Sequence, residues 1–395
     1  FALVARVGKR VRLARSLDRP LRYFLAKQAA GPALVVSDRI DAIHAILSSE
    51  GLAAQFHPSY TRMVPAHYVV DIELLGCPDP SPSYERYFTP ALSRLPADPD
   101  AIGRAYVGAL ADEIAKGLAA LPSGAPVGVA FSGGVDSGAV FLVAHHAMRR
   151  LGMSPSRLKA FTLTLGPAGQ DLAQARAFLE PLGLGLFLEA IEADPATLDP
   201  FETVRLIEDY KPLDVESATM ALALCRGIRR RYPDWRFLLD GDGGDENLKD
   251  YPIEENPELT IRSVVNNPLL YQEGWGVGRM KHSLTYSGGQ SRSYARTWAP
   301  LRLLGFDGSS PFTRPAVVEV AEAIPFAEMA SGDTARLYAL KGEIVARGVE
   351  AVTGMAMPVF PKRRFQHGAL PEGEPSRRLP DGEAAYRSHF LSRYA

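Results

Sequence analysis

The sequence predicts an α/β fold, in which a parallel sheet has helices on both faces and is preceded by a smaller β-rich domain. From about residue 98, short apolar segments alternate with amphipathic helical segments, and this order is typical of a parallel sheet. Residues 1–90 instead hold closely spaced strand patterns separated by turn residues. A chain of 395 residues is long enough to form two domains with cores of their own.

The first domain is predicted to span residues 1–90 and to be rich in strands. Segments with strand-like composition occur at 1–7, 10–14, 21–26, 33–36 and 67–74. One helix is expected among them, at 38–50. The residues at 78–83 are mostly Pro and Ser, and they predict a linker to the second domain.

The second domain is predicted to span residues 95–370 and to begin with an amphipathic helix at 98–121. Its strands are expected at 127–131, 159–165, 185–190 and 236–240. The helices between and around them are expected at 138–150, 170–183 and 215–231. Residues 255–370 are predicted to be mostly helical. The last segment, 371–395, is rich in Pro, Glu and Arg, and we expect it to be a loosely packed tail.

Composition excludes several functional classes. The net charge of −1 gives no basic field for binding nucleic acid. No apolar run approaches 18 residues, so no membrane span is expected. The two cysteines, Cys77 and Cys225, form neither a disulfide framework nor a Cys-x-x-Cys metal pair. These features favour a cytoplasmic protein.

The most specific motif is Ser132-Gly-Gly-Val-Asp136-Ser137, which follows the apolar strand 127–131 and begins a helix. Glycines allow the backbone to approach a polyanion, and free N–H groups at a helix start attract negative charge. Asp136 would repel phosphates unless a divalent cation lay between them. The motif lacks the Gly-Lys-Ser/Thr of a Walker A loop and resembles the pyrophosphatase loop of enzymes that split ATP into AMP and pyrophosphate. The alternative is an ordinary strand–turn–helix corner.

A second motif, Gly241-Asp242-Gly-Gly-Asp245-Glu246, follows the strand that ends at Asp240. Acidic residues so close together repel one another, and glycines are entropically costly, so the segment is a poor structural element. It makes sense if it faces cations or takes part in proton transfer. Asp136 and Asp245 would follow two strands of one sheet, and together they are candidates to hold Mg²⁺. The alternative is a solvated acidic turn.

The two motifs, in this order, resemble those of the synthetase domain of asparagine synthetases and β-lactam synthetases. Further similarity occurs in segments 160–165, 207–218, 305–325 and 361–368, so the resemblance covers about residues 95–370. It implies an adenine nucleotide alpha-hydrolase-like fold and an AMP-forming amide ligase. Such an enzyme uses ATP and Mg²⁺, adenylates a substrate carboxylate and transfers the acyl group to ammonia or an amine.

The resemblance also implies roles for individual residues. Asp242 is a candidate general base, Glu246 a second catalytic acid, and Lys362 the lysine that neutralises charge on phosphates or on the tetrahedral intermediate. Asp136 and Asp245 would be the metal ligands. The residues expected to bind the nucleotide are Ala130, Ser132, Gly133, Gly134, Asp136, Ser137, Leu163, Asp240 and Gly241.

The first 90 residues resemble the back half of the family's glutaminase domain, without the half that carries its N-terminal nucleophilic cysteine. We therefore expect the chain to lack glutaminase activity and to use a homodimer contact or a separate glutaminase subunit to cover an exposed apolar face.

Some positions depart from the family pattern. Ser309 and Arg314 stand where the family has Arg and Asp, and Asn247-Leu-Lys-Asp250 replaces a segment with Gly-Gly. These departures predict a carboxylate substrate other than free aspartate. Two other functions remain open: a non-catalytic subunit that binds a nucleotide or a partner, and an RNA-modifying enzyme, which the near-zero net charge disfavours.

Overall fold

The computed structural model describes residues 1–75, 81–166, 170–250, 253–255, 259–266, 294–361 and 382–394. Its N-terminal part is β-rich and antiparallel, as predicted. The strands are β1 (Ala2–Val7), β2 (Arg10–Arg15), β3 (Arg22–Gln28), β4 (Gly31–Ser37), β5 (Arg62–Met63), β6 (Tyr68–Glu73) and β7 (Ser83–Arg86). They form one sheet in the order β1-β2-β6-β7 and another in the order β4-β3-β5. The short strands β5 and β7 were not predicted.

The two N-terminal sheets pack against each other. Leu13 and Val70 of the first sheet share a buried cluster with Tyr23 of the second. On the other face of β3, Phe24 contacts the helix α1 (Ile40–Ser49) through a second cluster that includes Ile43. Strand β3 is therefore buried on both faces, which its apolar sequence requires.

The outer face of the first sheet is charged rather than apolar. Arg12 forms two hydrogen bonds of 2.9 Å with Asp71 on the neighbouring strand, and Arg10 pairs with Glu73. Exposed large apolar side chains in the sheet include Val4 and Val7 of the edge strand β1. The homodimer or glutaminase-subunit contact remains a prediction.

The second part contains the parallel sheet that the alternating pattern predicted. Its strands are β8 (Val127–Ala130), β9 (Leu158–Thr164), β10 (Leu188–Glu192), β11 (Phe237–Leu239) and β12 (Asp307–Ser309). Their order is β10-β9-β8-β11-β12, and each neighbouring pair is parallel. Strand β12 was not predicted, because its sequence, Asp-Gly-Ser, has no strand propensity.

Helices cover both faces of this sheet, which confirms the α/β class. They are α2 (Pro99–Ala119), α3 (Val135–Arg150), α4 (Gln170–Leu179), α5 (Pro200–Ile207), α6 (Pro212–Arg231), α7 (Gly244–Asn247), α8 (Ile261–Asn266), α9 (Ala299–Leu303), α10 (Pro315–Glu322), α11 (Phe326–Ala330), α12 (Thr334–Thr353) and α13 (Glu383–Ser392). Helices α2, α3 and α12 share a core with β8, whereas α6 packs with Phe161 and Leu238 on the opposite face. No helix in the described ranges has the length and apolarity that a membrane span needs.

The prediction of a loosely packed tail at 371–395 is wrong for residues 382–394. These residues include helix α13, and its Tyr386 and Phe390 are fully buried. The two rings lie four residues apart on one helical face and pack with Phe24 of β3 and Val215 of α6. The polar composition of the whole segment concealed this two-residue apolar face.

Candidate functional site

The two sequence motifs lie side by side at one edge of the parallel sheet. The first follows β8 and the second follows β11, and these strands are neighbours with Val129 paired to Leu239. Because the carboxyl ends of parallel strands meet at the same edge, the two loops come together there. The expected juxtaposition of the motifs is present.

The first loop makes a compact turn into helix α3. Gly133 has φ of +74°, and a Cβ on it would lie 3.0 Å from the backbone of Gln174. The Ser132 and Ser137 hydroxyl oxygens are 3.2 Å apart, and the Gly134 N–H donates to the Ser132 hydroxyl at 3.3 Å. The loop therefore places its hydroxyls and a glycine backbone at the start of a 16-residue helix, where an anion is favoured.

Glycines allow the two loops to touch. A Cβ on Gly241 would lie 2.8 Å from the Ser137 nitrogen, and a Cβ on Gly244 would lie 2.5 Å from the Asp136 carboxyl carbon. Any side chain at either position would separate the loops. The glycines of the acidic loop thus serve close approach to Asp136.

Asp136 and Asp245 reach the same cation, Lys341 of helix α12. The Lys341 ammonium donates to Asp136 at 2.5 Å and to Asp245, and it lies 3.4 Å from Asp250. Burial lowers the pKa of Lys341, but the three carboxylates outweigh burial and hold that pKa well above 10.5. The two predicted metal ligands therefore converge on one point that a positive charge occupies.

Three further carboxyls lie beside this point. Asp240 and Glu246 are buried, and Asp242 is half-buried. Asp240 accepts a hydrogen bond of 3.0 Å from the Asp242 N–H. Burial, and then the charge of Asp242, raise the pKa of Asp240, and burial also raises the pKa of Asp242. Neighbouring acidic groups with raised pKa values in a crowded pocket are typical of a catalytic site.

Residues 110–306 match the family model described as asparagine synthase. These residues form an asparagine synthase domain. The domain is an ATP-dependent amide ligase domain of the asparagine synthase type, and the family uses ATP. No curated protein sequence matches the chain. The matched range contains both loops, whereas Lys341 lies beyond its end.

In the asparagine synthase domain, the residues expected to bind adenine lie near the ends of neighbouring strands. Ala130 ends β8 and is paired with Phe161 of β9. Leu163 is buried in β9 and packs in a cluster with Met220 of α6. Gly241 follows β11 on the other side of β8. Ala130, Leu163 and Gly241 thus lie on three adjacent strands or directly after them, and their contact with the nucleotide stays a prediction.

Not every predicted residue falls in the described part of the chain. Lys362, the predicted catalytic lysine, lies outside the described residues. Among the departures from the family pattern, Ser309 ends β12, and Arg314 lies 3.6 Å from Asp18 of the N-terminal part.

Sequence reasoning missed Lys341, although a signal for it exists. Helix α12 has a buried face formed by Leu337, Leu340, Ile344, Val345, Gly348 and Val349. Lys341 falls on that face with the spacing of a core residue, and only 5% of it is exposed. A lysine at a core position of an amphipathic helix requires an acidic partner, and here the acidic loop supplies it.

Proposed function

We propose that the asparagine synthase domain is an AMP-forming amide ligase that adenylates a substrate carboxylate and transfers the acyl group to ammonia or an amine. The observation that carries this proposal is the convergence of Asp136 and Asp245 on one cation beside a glycine-rich helix start. Both aspartates pair with the Lys341 ammonium, so the two loops place carboxylates around one positive charge beside the start of a helix. This arrangement suits a polyphosphate and its counter-ion.

The proposed reaction has two steps. In the first, a carboxylate oxygen attacks the α-phosphorus of ATP, and the bond from that phosphorus to the bridging oxygen breaks to release pyrophosphate. In the second, the nitrogen lone pair attacks the acyl carbon, and the bond to the adenylate oxygen breaks to release AMP. Ser132, Ser137 and the backbone of Gly133 would hold the departing phosphates.

The residues at the site fit a magnesium ion. Mg²⁺ is commonly held by one or two carboxylates together with substrate phosphates, and Asp136 and Asp245 are placed to supply the two carboxylates. In the described ranges, no group of three or more His, Cys, Asp or Glu side chains forms a metal-ligand set. Substrate phosphates would complete the coordination. When bound, the ion would spread the negative charge that develops on the pyrophosphate.

Asp242 is proposed as the base that removes a proton from the attacking nitrogen. Its raised pKa brings it nearer to neutral pH, which suits a general base. Glu246, the other proposed catalytic carboxyl of this loop, lies 3.3 Å from Arg296. Lys362 retains its proposed role on the phosphates.

The proposed substrate is a carboxylic acid other than free aspartate. Arg314, at a position where the family has Asp, lies near Asp18 rather than near the acidic loop. Ser309, where the family has Arg, offers no positive charge for a second carboxylate. These two changes remove charges that an amino-acid substrate would use.

The test is to measure pyrophosphate and AMP release from Mg-ATP and ammonium across a panel of carboxylic acids that includes aspartate. We expect release with at least one acid other than aspartate, and AMP rather than ADP as the nucleotide product. ATP binding without release for every acid would overturn the ligase proposal and favour a non-catalytic, nucleotide-binding subunit.

Matched variants locate the site. Asp136→Asn and Asp245→Asn are expected to abolish Mg²⁺-dependent ATP binding, whereas Asp250→Asn, which also removes a carboxylate beside Lys341, is expected to retain it. Equal losses in all three variants would contradict the assignment of Asp136 and Asp245 as the metal pair.

A further inference from the structure

A short π-helical turn, Tyr294–Trp298, leads into α9 and lies beside the acidic loop. Its last three side chains each make a polar contact, and the first two contact carboxyls of the acidic loop. Arg296 lies 3.3 Å from Glu246, and the Thr297 hydroxyl donates to the Asp242 Oδ2 at 2.7 Å. The third, Trp298, donates from its indole nitrogen to the Ser310 hydroxyl at 2.9 Å.

The third contact ends at Ser310, which directly follows β12, as Asp240 directly follows the paired strand β11. Trp298 is 2% exposed, so the end of the turn is fixed in the core. π-Helical turns are rare and often occur at functional sites. Here the unusual turn brings Arg296 and Thr297 to two carboxyls of one loop.

We propose that Thr297 is a positioning residue for Asp242, which it holds in the orientation required for proton removal from the attacking nitrogen. This inference rests on the proposed ligase function. Asp242 is surrounded by Asp240, Asp245 and Glu246, with Arg296 as the neighbouring cation. A carboxylate among like charges turns away from them unless a donor fixes it.

The chemistry of threonine suits this task. Its branched side chain has few rotamers, so its hydroxyl points in a defined direction. Because this hydroxyl donates to Oδ2 of Asp242, the other carboxyl oxygen, Oδ1, points in a defined direction. The same hydrogen bond favours the ionised form of Asp242, which is the form that can accept a proton. Arg296 and Trp298 are the neighbours of Thr297 in the chain, and each is held by its own polar contact. The turn therefore cannot rotate freely about Thr297.

Thr297→Val removes the hydroxyl and keeps the shape, and Thr297→Ser keeps the hydroxyl. Thr203→Val is the control away from the site, because the buried Thr203 hydroxyl donates to the Asp199 carbonyl and accepts from the Thr219 hydroxyl, and neither partner is a carboxylate. One readout needs no substrate. In protein labelled with ¹³C at the aspartate carboxyl, Asp242→Asn identifies the Asp242 signal. We expect that signal to move towards the protonated position in Thr297→Val at neutral pH, and to stay in place in Thr297→Ser and Thr203→Val.

The second readout separates the two half-reactions with an acid found by the panel. Thr297→Val is expected to lower kcat for amide formation about 10- to 100-fold, as partial loss of a general base does, while KM for ATP and carboxylate-dependent ATP–pyrophosphate exchange stay within about twofold. Thr297→Ser should restore most of kcat. A merely structural role would lower exchange and amide formation together.

An unmoved Asp242 signal in Thr297→Val overturns the positioning role, whatever the activity of the wild type. A wild type that binds ATP but catalyses no exchange overturns the ligase function instead, and the NMR comparison still decides whether Thr297 orients Asp242.

Discussion

At the scale of single residues, buried charges in this protein are placed in groups that compensate one another. Lys341 is shared by Asp136, Asp245 and Asp250. Nearby, Lys249 is buried, lies 3.1 Å from Glu322 and has φ of +59°. Left-handed backbone at a lysine is costly, and the buried ion pair is the interaction that offsets it.

Asp209 is a buried group with a predicted effect on stability. It and Asp214 are both fully buried near the start of α6. Burial, and then the charge of Asp214, raise the pKa of Asp209 from 3.8 to about 7. Between pH 3.8 and about pH 7, Asp209 keeps its proton in the native state but has lost it in the unfolded chain. The free energy of unfolding therefore falls as the pH rises through this window.

Asp209→Asn should remove this dependence, because the amide is neutral at every pH and its oxygen can still accept from the Tyr210 and Lys211 N–H groups. We expect the variant to exceed the wild type in free energy of unfolding by about 1 kcal/mol or more at pH 8, and to differ little at pH 4. Urea unfolding at pH 4 and at pH 8 measures this difference in the free energy of unfolding. Asp234→Asn, at an exposed position, is the control, and parallel pH curves for Asp209→Asn and wild type would contradict the prediction.

At the scale of elements, the site depends on how closely helix α12 approaches α2. A Cβ on Gly103 of α2 would lie 2.7 Å from the Ile344 carbonyl oxygen and 2.8 Å from the Gly348 nitrogen, both in the backbone of α12. Lys341 belongs to the same helix, one turn before Ile344. The Gly103–Gly348 contact thus helps to set the position of the ammonium group that Asp136 and Asp245 share.

Gly103→Ala is expected to force these helices apart, because backbone atoms stand where the new methyl group would lie. Overpacking of this kind costs about 1–3 kcal/mol in free energy of unfolding. Gly108→Ala in the same helix is the matched control, since a Cβ there meets nothing within 4 Å. It should raise stability by about 0.5–1 kcal/mol. Denaturant unfolding of both variants tests the contact, and equal stability in the two would refute it.

The sequence predicted the elements that carry strong patterns and missed those that depend on neighbours. The strand before Ser132 and the helix after it follow from an apolar run, two glycines and a period of 3.6. Strand β12 has no such pattern, because it exists only by pairing with Phe237–Leu239 of β11. Thr297 and Lys341 were missed because the carboxyls that they contact are distant in the chain, although the core spacing of Lys341 in α12 was a signal.

At the scale of the whole molecule, the N-terminal β-rich part and the asparagine synthase domain share a core. One cluster combines Phe24 of β3, Ile40 of α1, Val204 of α5, Val215 of α6 and Phe390 of α13. Glu208, between α5 and α6, has φ of +52° and lies 3.1 Å from Arg22 and 3.3 Å from Arg39. Continuity of the apolar cluster and of these ion pairs predicts that both parts unfold in one cooperative transition.

Glu208→Gln tests this coupling between the two parts. The Arg22 side chain is 2% exposed, and loss of the Glu208 charge would leave its buried guanidinium poorly compensated. We expect a loss of about 2–4 kcal/mol in free energy of unfolding. Thermal unfolding followed by tryptophan fluorescence reports the asparagine synthase domain, because the tryptophans lie at positions 235, 275 and 298, while circular dichroism reports the whole chain.

The two signals should shift to lower temperature together in Glu208→Gln, since the shared cluster keeps the parts in one cooperative unit. Glu73→Gln is the matched control, because its pair with Arg10 is exposed on both sides, and its effect should stay below about 1 kcal/mol. A fluorescence transition that stays at the wild-type temperature while the circular dichroism signal splits would show that the N-terminal part unfolds by itself. In that case Glu208 would stabilise the N-terminal part without coupling it to the edge of the sheet that carries the two loops.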